Sequence, residues 1–125
     1  MKKIHLALLT FVCINACTNV PKRDCKNFRT GTYSFTTMIN GEARTTKFTR
    51  DDKIEVEKFG EKIDTAIVRW INDCEYILKK INAKGKAEEK SIHIKILKTS
   101  DSSYTFEYNA VGSPQKLKGE AIKIY

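Results

Sequence analysis

The chain has 125 residues, 41% of them hydrophobic and 30% charged, with 23 Lys+Arg against 15 Asp+Glu and a formal net charge of +8. That length provides one domain of ordinary size and excludes a multi-domain machine. The basic excess would draw the protein toward polyanions.

At the N-terminus, Met1-Lys2-Lys3 is a short positive head. Residues 4–14 are apolar apart from His5 and Thr10, and small residues follow at 15–17. This is the layout of a secretory signal. The apolar run is about 11 residues where a membrane span needs roughly 20, so a spanning helix is excluded.

Ile14-Asn15-Ala16-Cys17 resembles a bacterial lipobox, with Ile14, Ala16 and Cys17 on the motif and Asn15 departing from its usual middle residue. The resemblance implies cleavage before Cys17 and lipidation (diacylglyceryl and palmitate-type acyl chains) on that residue. Several acyl chains anchor stably where one holds marginally. An ordinary signal peptide that leaves an unanchored protein is the alternative. Thr18 follows Cys17 in place of the Asp that retains some lipoproteins in the inner membrane. An outer-membrane location in the cell envelope is therefore expected.

The domains expected are a lipoprotein signal peptide at 1–16, a lipidated tether at 17–26 and a single β domain at 27–125. Of the four cysteines, Cys13 leaves with the signal and Cys17 carries lipid. Cys25 and Cys74 remain for an oxidising compartment. A disulfide between them is expected, with two unpaired buried thiols as the alternative.

From residue 28 onward the pattern has period two. Residues 28–39 place Tyr33, Phe35, Thr37 and Ile39 on one face, and Asn40-Gly41 is a hairpin signal. Residues 42–50 form a weaker strand with Ala43, Thr45, Thr46 and Phe48, and Asp51-Asp52 turns the chain. Residues 53–59 put Ile54 and Val56 on one face and Glu55 and Glu57 on the other. Residues 63–71 are the most apolar strand, with Ala66, Val68 and Trp70. Cys74, Tyr76 and Leu78 are in phase over 74–81. Residues 82–90 read as a polar loop that lacks apolar anchors for a helix. Ile92, Ile94 and Ile96 point inward from 91–98, and Tyr104, Phe106, Tyr108 and Ala110 alternate after a turn. Residues 116–125 close the chain with Ile122 and Ile124 in phase.

Eight strands at short intervals predict an all-β fold: an antiparallel meander closing into a small lipocalin-like barrel, preceded by a signal helix. A two-sheet β-sandwich is the alternative. At eight strands the interior is either filled by side chains or holds one small ligand.

Two segments, Cys25-Lys26-Asn27-Phe28-Arg29-Thr30-Gly31-Thr32-Tyr33 and Trp70-Ile71-Asn72-Asp73-Cys74-Glu75-Tyr76, resemble small lipoproteins of Bacteroidota-type bacteria. Their pattern is Cys-x-x-Phe-x-Thr-Gly-x-Phe, then Trp-Ile-x-x-Cys-x-Tyr. Those relatives have no established activity. Some carry a "DNA topoisomerase IV" label, which about 100 residues have no room to justify. Residues 28–33 also resemble the Gly-x-Trp first strand of lipocalins, with Tyr33 in place of Trp.

The residues offer little catalytic chemistry. His93, outside the signal, falls on the face opposite Ile92, Ile94 and Ile96 and reads as an outward strand residue. Asp51-Asp52 and Glu88-Glu89 sit in turns without glycosidase spacing. No nucleophile motif, phosphate loop or zinc ligand set appears. Lysines 79, 80, 84, 86, 90, 95 and 98 read as a solvated face, with contact to an envelope polyanion as the alternative. No interleaved aromatics offer a nucleic-acid platform. Trp70, Tyr76, Tyr104, Phe106 and Tyr108 are candidates to line a cavity. The expectation is a non-enzymatic envelope lipoprotein without a cofactor, binding an envelope protein, lipid or polyanion. A small-ligand carrier of lipocalin type is the alternative.

Overall fold

The structure, a computed structural model, describes residues 23–125. The expected signal peptide, the Cys17 lipidation site, Thr18 and most of the expected tether lie outside the described residues.

Eight antiparallel strands form one closed barrel in the order β1 to β8. They are β1 (Gly31–Ile39), β2 (Glu42–Arg50), β3 (Ile54–Phe59), β4 (Lys62–Asn72), β5 (Glu75–Lys80), β6 (Ile92–Thr99), β7 (Ser103–Ala110) and β8 (Leu117–Lys123). Every strand pairs with its sequence neighbour, and β1 closes on β8 through Tyr33–Phe35 and Ala121–Lys123. Closure removes the open edges that a meander would otherwise present. The sandwich alternative is set aside.

Local chemistry explains the turns. Asn40 and Gly41 both adopt positive φ, 51° and 79°, the backbone that a tight two-residue hairpin requires. After β2, the Asp51 carboxylate accepts hydrogen bonds from the amides of Lys53 and Ile54, both at 2.8 Å. Asp51 thus builds the turn into β3, and those two bonds hold its carboxyl below the usual range. The 82–90 loop contains one helical turn, α1 (Lys86–Glu89).

One end of the barrel is stoppered. A short 3-10 turn, Cys25–Phe28, tucks Cys25 and Phe28 into the core at 2% exposure each. The domain start expected at residue 27 falls inside this turn. The Phe28 ring meets Tyr104 edge-on at 5.4 Å. A Cys25–Cys74 disulfide, with Cα atoms 5.2 Å apart, ties the stopper to the β4–β5 turn. Arg23 donates to the Ile96 carbonyl, the Asp24 amide to Thr99 Oγ1, and Lys123 Nζ to the Asn27 carbonyl. Gly31, at φ 131°, lets the chain pass from stopper to β1, where a Cβ would lie 2.9 Å from the Lys123 side chain and 3.2 Å from the Tyr125 carbonyl oxygen.

Two strands present the less obvious face inward. In β3, Glu55 is buried at 6% exposure, whereas Ile54 and Val56 are exposed at 39% and 38%. The register explains it: Arg50 of β2 is paired with Glu55, and both side chains turn into the barrel. In β8, Ala121 is fully buried while Ile122 and Ile124 lie outside. Phe35 and Phe106, edge to face at 5.7 Å, occupy the space inside Gly119. A Cβ on Gly119 would come within 2.8 Å of the Phe106 ring. Small residues therefore face inward on β8, and its isoleucines face out.

Candidate functional site

The stoppered end is organised around Arg50, whose side chain is at 0% exposure. Its five N–H groups meet five acceptors. Nε donates to the Arg29 carbonyl at 3.0 Å. Nη1 donates to Glu55 Oε2 at 2.9 Å and to the Tyr76 hydroxyl at 2.7 Å. Nη2 donates to the Phe28 carbonyl at 2.6 Å and to the Tyr104 hydroxyl at 3.3 Å. A buried guanidinium is tolerable only when its donors are all satisfied. Here the last residues of the stopper, Glu55 of β3 and the tyrosines of β5 and β7 satisfy it jointly.

Aromatic faces complete the shell. The guanidinium carbon lies 4.6 Å from the Tyr76 ring centroid and 5.1 Å from that of Tyr33. Burial works against the Arg50 charge. Tyr76, Tyr104 and Glu55 more than offset it, so Arg50 stays protonated. Burial pushes the Tyr33 hydroxyl up to about 12 and raises those of Tyr76 and Tyr104 as well. All three remain neutral at physiological pH.

Above this floor the barrel is hollow. A cavity of about 250 Å³ runs from Tyr76 and Tyr104 toward the opposite end, between Phe35, Phe48, Phe106 and Tyr108 and the aliphatic Leu78, Ile92 and Ile94. Thr46, Glu55 and Glu57 provide its polar and charged lining. A second hollow of about 180 Å³ shares Glu55, Glu57, Leu78 and Ile92 and continues past Asp64 and Lys80 to the α1 segment.

The mouth carries most of the electrostatic information. Lys80 Nζ is held by Asp64 at 3.2 Å and Glu88 at 3.0 Å. Glu88 also accepts from the Lys84 amide at 2.7 Å, which fixes the loop and lowers its own carboxyl pKa, the amide bond being the larger cause and Lys80 the second. Glu57 makes no ion pair among the described residues. Surrounding protein and, secondarily, the facing Asp64 raise its carboxyl above the ordinary value. Glu55 is raised chiefly by burial, with Arg50 drawing it back down.

The residues singled out in the sequence distribute as follows. Tyr76, Tyr104, Phe106 and Tyr108 line the cavity. Trp70 does not. It sits between stopper and barrel, 4.5 Å from the Tyr76 ring, with the Arg29 guanidinium stacked at 4.8 Å. The β-bulge between Trp70 and Asn72 lies beside the disulfide-bearing turn, so Trp70 packs at the sealed end. His93 lies on the outer face, its Nε2 3.0 Å from Glu75 Oε2, away from the cavity. Lys80 leaves the expected lysine face and turns into the mouth.

Arg50, Glu55 and Glu57 carry the site's charge, yet the alternation of Glu55 and Glu57 with Ile54 and Val56 reads as ordinary outward polarity, and Arg50 stands between polar Thr49 and Asp51. One signal was available: Arg50 shares the phase of Thr46 and Phe48, so a strand that buries Phe48 also points Arg50 inward. No family model, curated protein or solved structure matches the chain.

Proposed function

We propose that this protein is a small-ligand binding module, a β-barrel cup sealed at one end and open at the other. The cavity of about 250 Å³ carries this reading. An apolar cavity of roughly 150 Å³ suffices for benzene, so the space fits about one ring with a short arm. Concave, mostly aromatic and aliphatic walls with a few placed polar groups are the usual make-up of a small-molecule site. The stopper supports the same reading. A barrel needing only a packed core has little use for a disulfide-tied plug beneath a hollow, whereas a cup needs a floor.

The lipobox resemblance at Cys17 adds an anchor, so the cup is proposed to stand at a membrane of the cell envelope and to present its ligand there without transforming it. The interaction-module reading is second. Exposed isoleucines at 54, 67 and 71 on the outer face of β3 and β4 favour it.

Native mass spectrometry of the protein extracted from its own envelope, followed by a denaturing run, tests both parts. A mass lost only on denaturation is the expected ligand, and a lipid-sized mass that survives denaturation is the expected anchor. An unliganded barrel would count against the carrier reading and turn attention to the outer face. A mass without lipid would remove the anchor.

A further inference from the structure

The chain is basic, yet its cavity is acidic. Among the described residues, the charged side chains lining the larger cavity are Glu55 and Glu57, and no lysine or arginine lines it. In the adjoining hollow the acids Glu55, Glu57, Asp64 and Glu88 face two bases, Lys80 and Lys90, and Lys80 is already bonded to Asp64 and Glu88.

Arg50, the cation nearest the floor, is no receptor for an anion. Its five N–H groups are taken by Glu55, two tyrosine hydroxyls and two carbonyls. Arg50 and Glu55 cancel each other's charge, which leaves Glu57 as the lining carboxylate without an ion pair among the described residues, Lys80 and Lys62 drawing on it only from beyond ion-pair distance. Glu55 lines the cavity, and its second oxygen, Oε1, makes no hydrogen bond among the described residues. A carboxylate ligand would enter against Glu57 with hydroxyls but no cation in the lining of the larger cavity to receive it. A cation would meet two carboxylates and, deeper in, the negative faces of aromatic rings.

We propose, building on the binding-module reading, that the barrel selects a small organic cation. The ligand is a protonated amine on an apolar body of about ten non-hydrogen atoms. Its ammonium sits against Glu57 and Glu55, and its body lies among Phe35, Phe106, Tyr108 and Ile92.

The test is calorimetric titration of the purified protein at pH 7 with three probes of one shape and three charges: 2-phenylethylamine, 2-phenylethanol and 3-phenylpropanoate. The amine is expected to bind about tenfold more tightly than the alcohol, on the order of one charge-assisted hydrogen bond, with the propanoate weakest. In Glu57→Gln the amine's advantage over the alcohol is expected to shrink to about twofold, with thermal unfolding measured beside the parent to show that the variant is folded; an undiminished advantage in the folded variant overturns the role of Glu57. Alcohol binding as tight as amine, or a preference for the propanoate, overturns charge selection and leaves the cavity reading standing. Binding of none of the three overturns both.

Discussion

Arg50 illustrates how one residue can organise the sealed end of a barrel. Its guanidinium joins β2 to the stopper, to β3 through Glu55 and to β5 and β7 through tyrosine hydroxyls. Removing one member of a buried ion pair leaves the other charge without a partner and typically costs about 3–5 kcal/mol. Arg50→Met is expected to lose that much in urea unfolding. The double variant Arg50→Met/Glu55→Leu should recover part of the loss, because no lone carboxylate is then buried.

Glu57 behaves differently. Its carboxyl is raised in the fold, so ionising it costs folding free energy. That cost is absent below the unfolded carboxyl's pKa and fully present above the folded one. Glu57→Gln is therefore expected to be at least as stable as the parent at pH 7, with the difference closing as the pH falls toward 4. NMR titration of the Glu57 side chain should give a pKa above the ordinary value, and Asp64→Asn should lower it. A mouth residue that weakens the fold slightly while completing the site is what a binding role leads one to expect.

At the scale of elements, the strands were legible because a half-buried strand writes its alternation into the sequence. Asn40-Gly41 marked a hairpin through the backbone geometry that only such residues adopt easily. Phase was less legible than position. Charged Glu55 and Glu57 alternate with Ile54 and Val56, so hydrophobicity alone points β3 the wrong way. Only the Arg50 partner across the β2–β3 hairpin, a charge pairing that hydropathy does not register, reverses it. In β8 the inner positions are Gly119 and Ala121 because phenylalanines from β1 and β7 already fill that space, and a single strand's sequence carries no record of its neighbours' volume. The stopper was hidden for a related reason: four residues of 3-10 turn have no periodicity to read. The Cys25–Cys74 bridge that holds it joins residues 49 apart in sequence, worth about 4 kcal/mol in the chain-entropy model. Replacing both cysteines by serine is expected to lower unfolding stability by about that amount. The parent protein under reductant should lose as much, and the double serine variant should show no further response to it.

For the whole molecule, charge separates by location. Lysines dominate outside, and Lys80, which turns into the mouth, is tied down by Asp64 and Glu88. The hollow keeps Glu55 buried within, Glu57 exposed at its mouth and a ring of aromatic walls. Net charge thus describes what the surface attracts and says little about what the cavity accepts, and the two have opposite sign here. Outside, the exposed isoleucines of β3 and β4 are the competing place for a partner to sit. The most direct test of the cup is chemical-shift mapping of labelled protein titrated with 2-phenylethylamine. Shifts confined to the inward side chains of Phe35, Leu78, Ile92, Ile94, Phe106 and Tyr108, with Ile54 and Ile67 unmoved, are the expected result. No shifts, or shifts gathered on the outer face of β3 and β4, would contradict a ligand cavity inside this barrel.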